Sequence, residues 1–253
     1  MGWAERRQFF IMLIAGAVII AAIAVVLIAT ISKAPSCSDG IQNQGEQGID
    51  CGGPCPYLCT ATLEPPTVLY TQVFMNGTDR ADAIASVENK NARAAAKAVP
   101  YTLSVYGTDQ VLLQSVRGTF DLAPGATVPV YVPNIPTGGK TAASAFLVIT
   151  EPGALAWQTM SVPPLPTVSG VKLIGTATAP RVVATLTNVD TLPRTNVRVV
   201  VLIHGAGDTV IAASSTVVPQ VPPQGQATAT FTWNTAFRST PLSIEVVPIA
   251  TLP

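Results

Sequence analysis

The hydrophobic positions of the chain follow two contrasting patterns. From Phe9 to Ile31, 23 consecutive residues carry no charge. A helix rises about 1.5 Å per residue, so this run extends about 34 Å and covers a bilayer core of roughly 30 Å. Beyond residue 60 the apolar positions come in short stretches, several of them alternating with polar residues and broken by Pro, Gly and Asn. That second pattern is typical of β-strands joined by turns.

The apolar run predicts a single transmembrane helix over residues 9–31. Arg6 and Arg7 precede it and Lys33 follows it, so the positive-inside bias favours a cytoplasmic N-terminus, residues 1–8, and an extracytoplasmic remainder. A cleavable signal peptide is the alternative, but its apolar region usually has about 7–15 residues. We therefore expect a single-pass protein of the cell membrane, anchored through residues 9–31.

The strand-like stretches recur in the same order. "YTLSVYG" (101–107) is followed by "DQVLLQSVRGTFDLAPGATVPVYVP", with a Pro-Gly turn between two strand candidates. Later, "NVRVVVLIHGAGDTVIAASSTVVPQVPPQGQATATFTW" repeats the succession of strand, Gly-rich turn, strand, Pro-rich turn and strand. The two segments superpose without a gap at a constant offset of 99 residues, in the pairs Asn89/Asn188, Leu103/Leu202, Asp109/Asp208, Val111/Val210, Ser115/Ser214 and Pro124/Pro223.

This offset is close to the length of about 100 residues of an immunoglobulin-like sandwich. The sequence therefore predicts an all-β fold of two tandem immunoglobulin-like β-sandwiches, over 65–162 and 167–253, joined by a linker at 163–166. They follow the N-terminal transmembrane helix and a small disulfide-stapled segment at 34–60. Trp157 and Trp233 are expected to fill cores, and "ENKNARAAAKAV" (88–99) to form a solvated loop.

Composition and motifs argue against catalysis and nucleic-acid binding. Charged residues make up 11% of the chain, against a usual share of about 25%, and the formal net charge is +0, so no basic field holds nucleic acid. His204 is the single histidine; with Asp208 it lies at a Gly-rich turn, where a packed strand-end histidine is expected. Asp109 and Asp208 are expected to support turns through backbone hydrogen bonds. No nucleophile elbow, phosphate-binding loop or dinucleotide fingerprint occurs, and we expect no enzyme.

All four cysteines lie between residues 37 and 59, at Cys37, Cys51, Cys55 and Cys59. Outside the cytoplasm cysteines mostly form disulfides, and four cysteines allow three connectivities. Cys55–Cys59 with Cys37–Cys51 is one plausible pairing, and the crossed pairing Cys37–Cys55 with Cys51–Cys59 is another. The spacing does not fit the paired Cys-x2-Cys arrangement of zinc sites.

Oxygen ligands gather between the first two cysteines. Asp39, Asn43, Glu46 and Asp50 alternate there with glycines that allow a short loop to bend around an ion. Carboxylate and amide oxygens are the donors that Ca²⁺ prefers, and backbone carbonyls or water would complete its six to eight ligands. Calcium is thus a candidate ligand of this loop, the alternative being a purely structural disulfide knot; no other cofactor is expected.

Two resemblances support an extracytoplasmic location. The cysteine stretch resembles a motif that recurs in bacterial surface proteins, Cys-x-Asp-Gly-Ile-x-Asn-x-x-Glu-x-x-x-Asp-Cys-Gly-Gly-x-Cys, matched here from Cys37 to Cys55. The second half is similar to CARDB-type bacterial cell-adhesion-related domains, which are immunoglobulin-like; the residues that match are Thr187, Asn188, Pro223, Gly225, Phe231 and Trp233, and the first half keeps Asn89, Pro124 and Gly125.

The resemblances and the composition together indicate a non-catalytic surface protein. The expected function is adhesion, or a protein-binding scaffold, with a protein or a surface polymer as partner. The alternative is an accessory subunit of an envelope secretion or pilus-type assembly, in which the transmembrane helix itself makes specific contacts.

Overall fold

The computed structural model describes residues 2–31 and 36–252. Lys33, the basic residue expected after the membrane span, and residues 34 and 35 of the cysteine-rich segment lie outside the described residues. The chain forms two compact units, residues 1–55 and residues 56–253.

The first unit begins with a long apolar helix. Helix α1 covers Trp3–Ile31, and its segment Arg6–Leu27 is long and apolar enough to cross a membrane. The described apolar side chains of this segment are exposed, Phe9 and Ile20 being 62% and 70% accessible. A helix that is apolar on every side is stable where a membrane or a core surrounds it. By length and composition, α1 is therefore a membrane span or a signal sequence.

The second unit consists of β-strands with short connections. Three-residue 3-10 helices occur at Thr60–Thr62, Pro152–Ala154 and Ala206–Asp208. The strands are β1 (Thr67–Met75), β2 (Arg80–Glu88), β3 (Ala94–Gly107), β4 (Leu112–Leu122), β5 (Thr127–Pro136), β6 (Ala142–Ile149), β7 (Trp157–Thr159), β8 (Thr167–Thr176), β9 (Ala179–Thr187), β10 (Arg194–His204), β11 (Val210–Val221), β12 (Gln226–Thr232) and β13 (Ser243–Ile249).

The strands form four antiparallel sheets whose order repeats. The first half contains one sheet with the strand order β1-β2-β5 and a second with the order β4-β3-β6, and β7 pairs with the beginning of β3. The second half contains one sheet with the order β8-β9-β12 and a second with the order β11-β10-β13. The first, second and fifth strands of each half thus share one sheet, and the third, fourth and sixth share the other. Residues 160–166, which include the predicted linker, have no regular secondary structure.

Each half has a core formed by alternate residues of its strands. In the first half, alanines and Val87 of β2 pack with Leu103, Leu122 and the fully buried Trp157. In the second half, Val182, Leu186, Val199, Val201 and Phe231 form the centre, and Trp233 packs against them while partly exposed. Both tryptophans therefore contribute to cores, as predicted.

A third apolar cluster joins the two halves. Ile84 on β2 packs with Val200, Leu202, Val210 and Ala213, and Phe74 and Tyr131 lie against them. Strand β2 is therefore buried on both faces, its alanines facing the first core and Ile84 facing the second half. The uninterrupted run Val199–Ile203 on β10 has the same cause, because successive side chains point alternately into the second core and toward the first half.

Matched asparagines hold the same corner in each half. Asn89 donates from Nδ2 to the carbonyl oxygens of Ala94 (2.7 Å) and Ala123 (2.8 Å), and its backbone N–H donates to Ala126. Asn188, 99 residues later, donates from Nδ2 to the carbonyls of Leu192 (2.8 Å) and Pro222 (3.0 Å), and from its backbone to Gly225. Both side chains are buried and link two turns of their half.

The prediction of a solvated loop at 88–99 is wrong for most of these residues. Strand β2 ends at Glu88, only five residues separate it from β3, and Ala94, Ala95, Ala96 and Val99 are buried. A register shift between Ala96 and Val99, with a positive φ at Ala98, lets Lys97 stay in solvent while its apolar neighbours face inward. The small alanines allow β7 to pair closely with this part of β3.

Candidate functional site

The cysteine-rich loop is oxidised. Cys37 is bonded to Cys55, and Cys51 and Cys59 are also in disulfide linkage. The Cys37–Cys55 bond belongs to the crossed pairing and excludes a bond between Cys55 and Cys59. A short antiparallel bridge between Gly48 and Cys51 gives the loop its only pairing of strand type among the described residues up to 55.

The acidic side chains of this loop fold back onto its own backbone. The carboxylate of Asp50 accepts hydrogen bonds from the N–H groups of Asp39 (3.0 Å) and Gly40 (2.9 Å). The carboxylate of Asp39 accepts from the N–H groups of Ser36 (3.1 Å) and Ile41 (2.9 Å). A short loop has few partners for its N–H groups in regular structure, and these side chains supply them.

Glu46 occupies the centre of the loop and is 7% exposed. Its Oε2 accepts from the N–H groups of Asp50 (3.1 Å) and Asn43 (3.4 Å), and its Oε1 lies 3.0 Å from Sγ of Cys55. That sulfur is oxidised and has no proton to donate, so the contact is not a hydrogen bond. For the same reason the close group Cys37, Glu46 and Cys55 offers no thiolate to a metal.

The four predicted calcium ligands belong to one hydrogen-bonded network. Asn43 donates from Nδ2 to Asp39 (3.0 Å), Asp39 donates to Asp50, and Asp50 donates to Glu46. Within the described residues, Oδ1 of Asn43 is buried without a hydrogen-bond partner. The arrangement can stabilise the loop by itself, and calcium binding stays a prediction.

His204 lies between two carboxylates at the end of β10. Its Nδ1 is 3.0 Å from Oδ1 of Asp208 and its Nε2 is 3.5 Å from Oε2 of Glu245 on β13, while the imidazole is 11% exposed. Tyr70 of β1 is close by: burial, and then the charges of Glu245 and Asp208, raise its pKa. The packed strand-end histidine that the sequence predicts is therefore confirmed.

The two matched turn aspartates behave differently. Asp109 accepts a hydrogen bond from the N–H of Val111 (3.2 Å), as predicted, and this bond with the nearby Lys140 lowers the pKa of its carboxyl. Asp208 instead holds His204 and does not bond the backbone of its own turn in the contacts of the described residues. The first half has Val105 at the position equivalent to His204, which explains the difference.

A buried carboxylate lies beside the cluster that joins the halves. Asp82 is 2% exposed and accepts hydrogen bonds from the hydroxyl of Tyr131 (2.7 Å), the amide of Asn76 (3.1 Å) and the N–H of Asn134 (2.8 Å). Burial, followed by the charge of Asp82 and this hydrogen bond, raises the pKa of Tyr131. The carboxylate is satisfied by the first half alone, and its role is structural.

One exposed sheet face is apolar. On β6, Phe146 and Val148 are 60% and 61% exposed, and the ring of Phe146 contacts that of Tyr106 on β3 edge-on at 5.9 Å. Leu112 on β4 is paired with Tyr106 and is half exposed. Apolar residues grouped on a surface in this way are more typical of a contact surface than single exposed ones.

Comparisons with known proteins add little to this description. No family model matches the chain, and no curated protein matches it. Among solved structures, the chain is similar to one titled as the crystal structure of red sea bream transglutaminase, with 15% identity and a TM-score of 0.26. The match covers 74% of this chain and spans 29% of that one, and a likeness this weak carries no functional argument.

Sequence reasoning missed the contact between the halves and the carboxylates around His204. The signal for the contact was present in the unbroken apolar run Val199–Ile203, since a strand with one exposed face alternates. Glu245 carried no comparable signal, because its approach to His204 depends on β13 pairing with β10 in a particular register.

Proposed function

We propose that this chain is a membrane-anchored, non-catalytic surface protein whose two immunoglobulin-like sandwiches, of the CARDB-like kind, bind a protein or surface-polymer partner. The anchor is α1, the N-terminus is cytoplasmic, and the oxidised loop and the sandwiches are extracytoplasmic. The observation that carries the proposal is the combination of an exposed apolar helix with a disulfide-bonded loop directly after it. Disulfides persist in oxidising compartments and are rare in the cytosol.

The repeated hydrogen bonds support two copies of one domain. Asn89 and Asn188 make equivalent bonds at a spacing of 99 residues, and the order of strands in the sheets is the same in both halves. The number of strands, their antiparallel pairing and the two-sheet core agree with an immunoglobulin-like sandwich. Such sandwiches serve many binding functions, so the fold alone does not identify the partner.

The site chemistry favours binding over catalysis. His204 is held between Asp208 and Glu245, and the described contacts of its ring nitrogens are to these acids and to the Asp208 carbonyl. A hydrolytic triad needs a histidine with one nitrogen on a nucleophile and the other on a carboxylate. The exposed apolar face around Phe146 offers a contact surface instead.

Membrane topology tests the first part of the proposal. In intact cells an N-terminal tag should resist added protease and a C-terminal tag should be removed, while the protein stays with membranes after carbonate extraction. Recovery of a soluble chain that lacks residues 1–31 would instead identify a signal sequence.

Crosslinking in intact cells tests the second part. Photocrosslinkers at Phe146 and Val148 should capture a specific partner, and the same probe at exposed Gln114 serves as a control. Replacing residues 9–31 with an unrelated span should leave binding intact. Loss of binding after this replacement would favour the accessory subunit of an envelope assembly.

A further inference from the structure

The two halves differ at one side of their cores. In the first half β1 lies alongside β6, and side chains of β1 cover the edge of β6. The backbone N–H of Leu147 donates to Oγ1 of Thr71 (3.4 Å), and the backbone N–H of Ala142 donates to Sδ of Met75 (3.3 Å). The inward-facing residues Ala145 and Leu147 of β6 are 5% exposed. The side chains of β1 thus cover much of this side of the first core, beside a cavity of about 360 Å³ that Thr71 and Ala145 line.

The same side of the second half is less covered, because β8 lies alongside only part of β13. Ile244 and Val246 of β13, which lie 99 residues after Ala145 and Leu147, pack on the second core but stay only partly buried. Position 170, equivalent to Thr71, is a glycine with a positive φ in the irregular part of β8. It has no hydroxyl with which to cap the edge of β13.

The outer edge of β13 has no strand partner. Within the described residues β13 pairs only with β10, so the N–H and C=O groups along its other edge have no strand partner. Val171 is half-buried and Leu173 is 42% exposed on β8, and a cavity of about 590 Å³ lies between Leu173 and Phe237, next to the residues that precede β13. The residues after β13 turn away from this edge, because Leu252 is buried against Ala95 and Ala123 of the first half.

We infer that the edge of β13 accepts an extended polypeptide segment as an additional strand. Main-chain hydrogen bonds to β13 would give affinity, and alternate side chains would give specificity. Apolar residues at every second position would cover Ile244 and Val246. The inference deepens the proposed function, on which it rests, by naming the binding edge and the kind of partner.

Charge defines the other face of the incoming strand. Alternation along β13 places Glu245 on the face opposite to Ile244, and Glu245 and Asp208 are 57% and 86% exposed in their side chains. Both carboxylates contact His204, and no lysine or arginine pairs with either of them in the described part of the chain. The occupant is therefore an apolar extended segment that carries a basic residue opposite Glu245.

The added strand also continues an existing interface. Sheet β11-β10-β13 already packs through Val200 and Leu202 on the first half, with Tyr70 of β1 close to Glu245. A strand beside β13 would extend this sheet across the 37% exposed Tyr70 and the 51% exposed Leu69.

A synthetic peptide tests the inference with the full chain in detergent micelles. The probe is a capped peptide of alternating valine and lysine with seven residues, the length of β13. Amide hydrogen exchange should show new protection on β13 and none on β6. A valine–glutamate peptide of the same length should bind up to about fivefold more weakly, since one exposed ion pair contributes up to about 1 kcal/mol.

Two variants separate the outcomes. Glu245→Lys should reverse the preference between the two peptides, whereas Glu151→Lys, an exposed charge change elsewhere, should not. Backbone N-methylation of the valine–lysine peptide should abolish binding. Absence of protection on β13 at millimolar peptide, or protection confined to other strands, overturns the inference; a cellular partner crosslinked through Phe146 would then leave the proposed function standing.

Discussion

At the scale of single residues, two buried amides determine how each half closes. Asn89 and Asn188 satisfy carbonyl oxygens in two turns that are distant in sequence but adjacent in space. A buried carbonyl without a donor loses the hydrogen bonds that water gave it in the unfolded chain. Other residue types of similar size lack the two amide protons that bridge these turns.

Replacing Asn188 with alanine should reduce the free energy of unfolding by about 1–3 kcal/mol, because the carbonyls of Leu192 and Pro222 lose the donor that the buried Asn188 side chain provides. Urea denaturation followed by tryptophan fluorescence measures this change. Gln114→Ala, at an exposed position of β4, should stay within about 0.5 kcal/mol of the parent chain. An equal effect of both variants would contradict the role given to Asn188.

The raised pKa of Tyr131 leads us to expect a loss of stability in alkaline solution. Its pKa is higher in the folded chain than the ordinary value of 10.0, so above about pH 10 the unfolded chain loses this proton first. The stabilisation is complete below that pH and falls as pH rises, by up to about 1.4 kcal/mol per pH unit.

Urea midpoints measured from pH 8 to pH 11 test this dependence. Tyr131→Phe should flatten the alkaline limb, leaving the smaller contributions of Tyr70 and Tyr101, whose pKa values burial also raises. The variant should also lower stability at neutral pH, because Asp82 loses one of its donors. An unchanged alkaline limb would refute the assignment.

Asp50 separates the two interpretations of the acidic loop. Asp50→Asn weakens the acceptor of the Asp39 and Gly40 N–H groups, so the Cys37–Cys55 bond should be reduced faster by dithiothreitol even without calcium. If calcium binds, isothermal titration of the full chain should give heat that this variant loses. No heat at millimolar calcium would leave the loop as a purely structural knot.

At the scale of elements, the sequence predicted the positions of strands well, but it did not predict that β2 and β10 are buried on both faces. The predicted stretches 101–107 and 109–133 cover the second half of β3, all of β4 and most of β5, because alternating and turn residues are local signals. Burial of Ile84 on β2 depends on a sheet more than 100 residues away, which no local pattern encodes. The alanine-rich 88–99 failed for a related reason, since alanine becomes a strand residue only where a close neighbour such as β7 needs little space.

Ile84→Ala should destabilise the chain by about 2–5 kcal/mol, because it opens a cavity at a fully buried site between the halves. Val148→Ala, on the exposed face of β6, should change stability by less than about 0.5 kcal/mol. Chemical denaturation of both variants under the same conditions provides the comparison. A similar loss of stability in both variants would contradict the importance given to the packing of Ile84 between the halves.

At the scale of the whole molecule, residues from 56 onward form one compact unit although they contain two cores. The apolar cluster around Ile84 and Leu202 couples the two halves. The candidate binding edge was not predictable from the sequence, because its openness depends on the difference between Thr71 and Gly170 at corresponding positions of two folded halves.

Calorimetry should therefore show one cooperative transition for the β-sheet unit. Leu202→Asp places a charge in the cluster that joins the halves, and it should separate the transition into two, one for each half. Val217→Asp, on the exposed face of β11, is the matched control and should keep a single transition. Two transitions in the parent chain would show that the halves fold independently.

The burial of Leu252 against the first half affects how the molecule responds to mechanical force. Leu252 comes after the last strand of the second half, yet it is buried beside Ala95 and Ala123, and its N–H donates to Asp121 of β4. Tension applied at this residue would load the first half before it reached β13. The second half would then bear no force until the contacts of Leu252 with the first half ruptured. Atomic force microscopy can measure the force at which these contacts break.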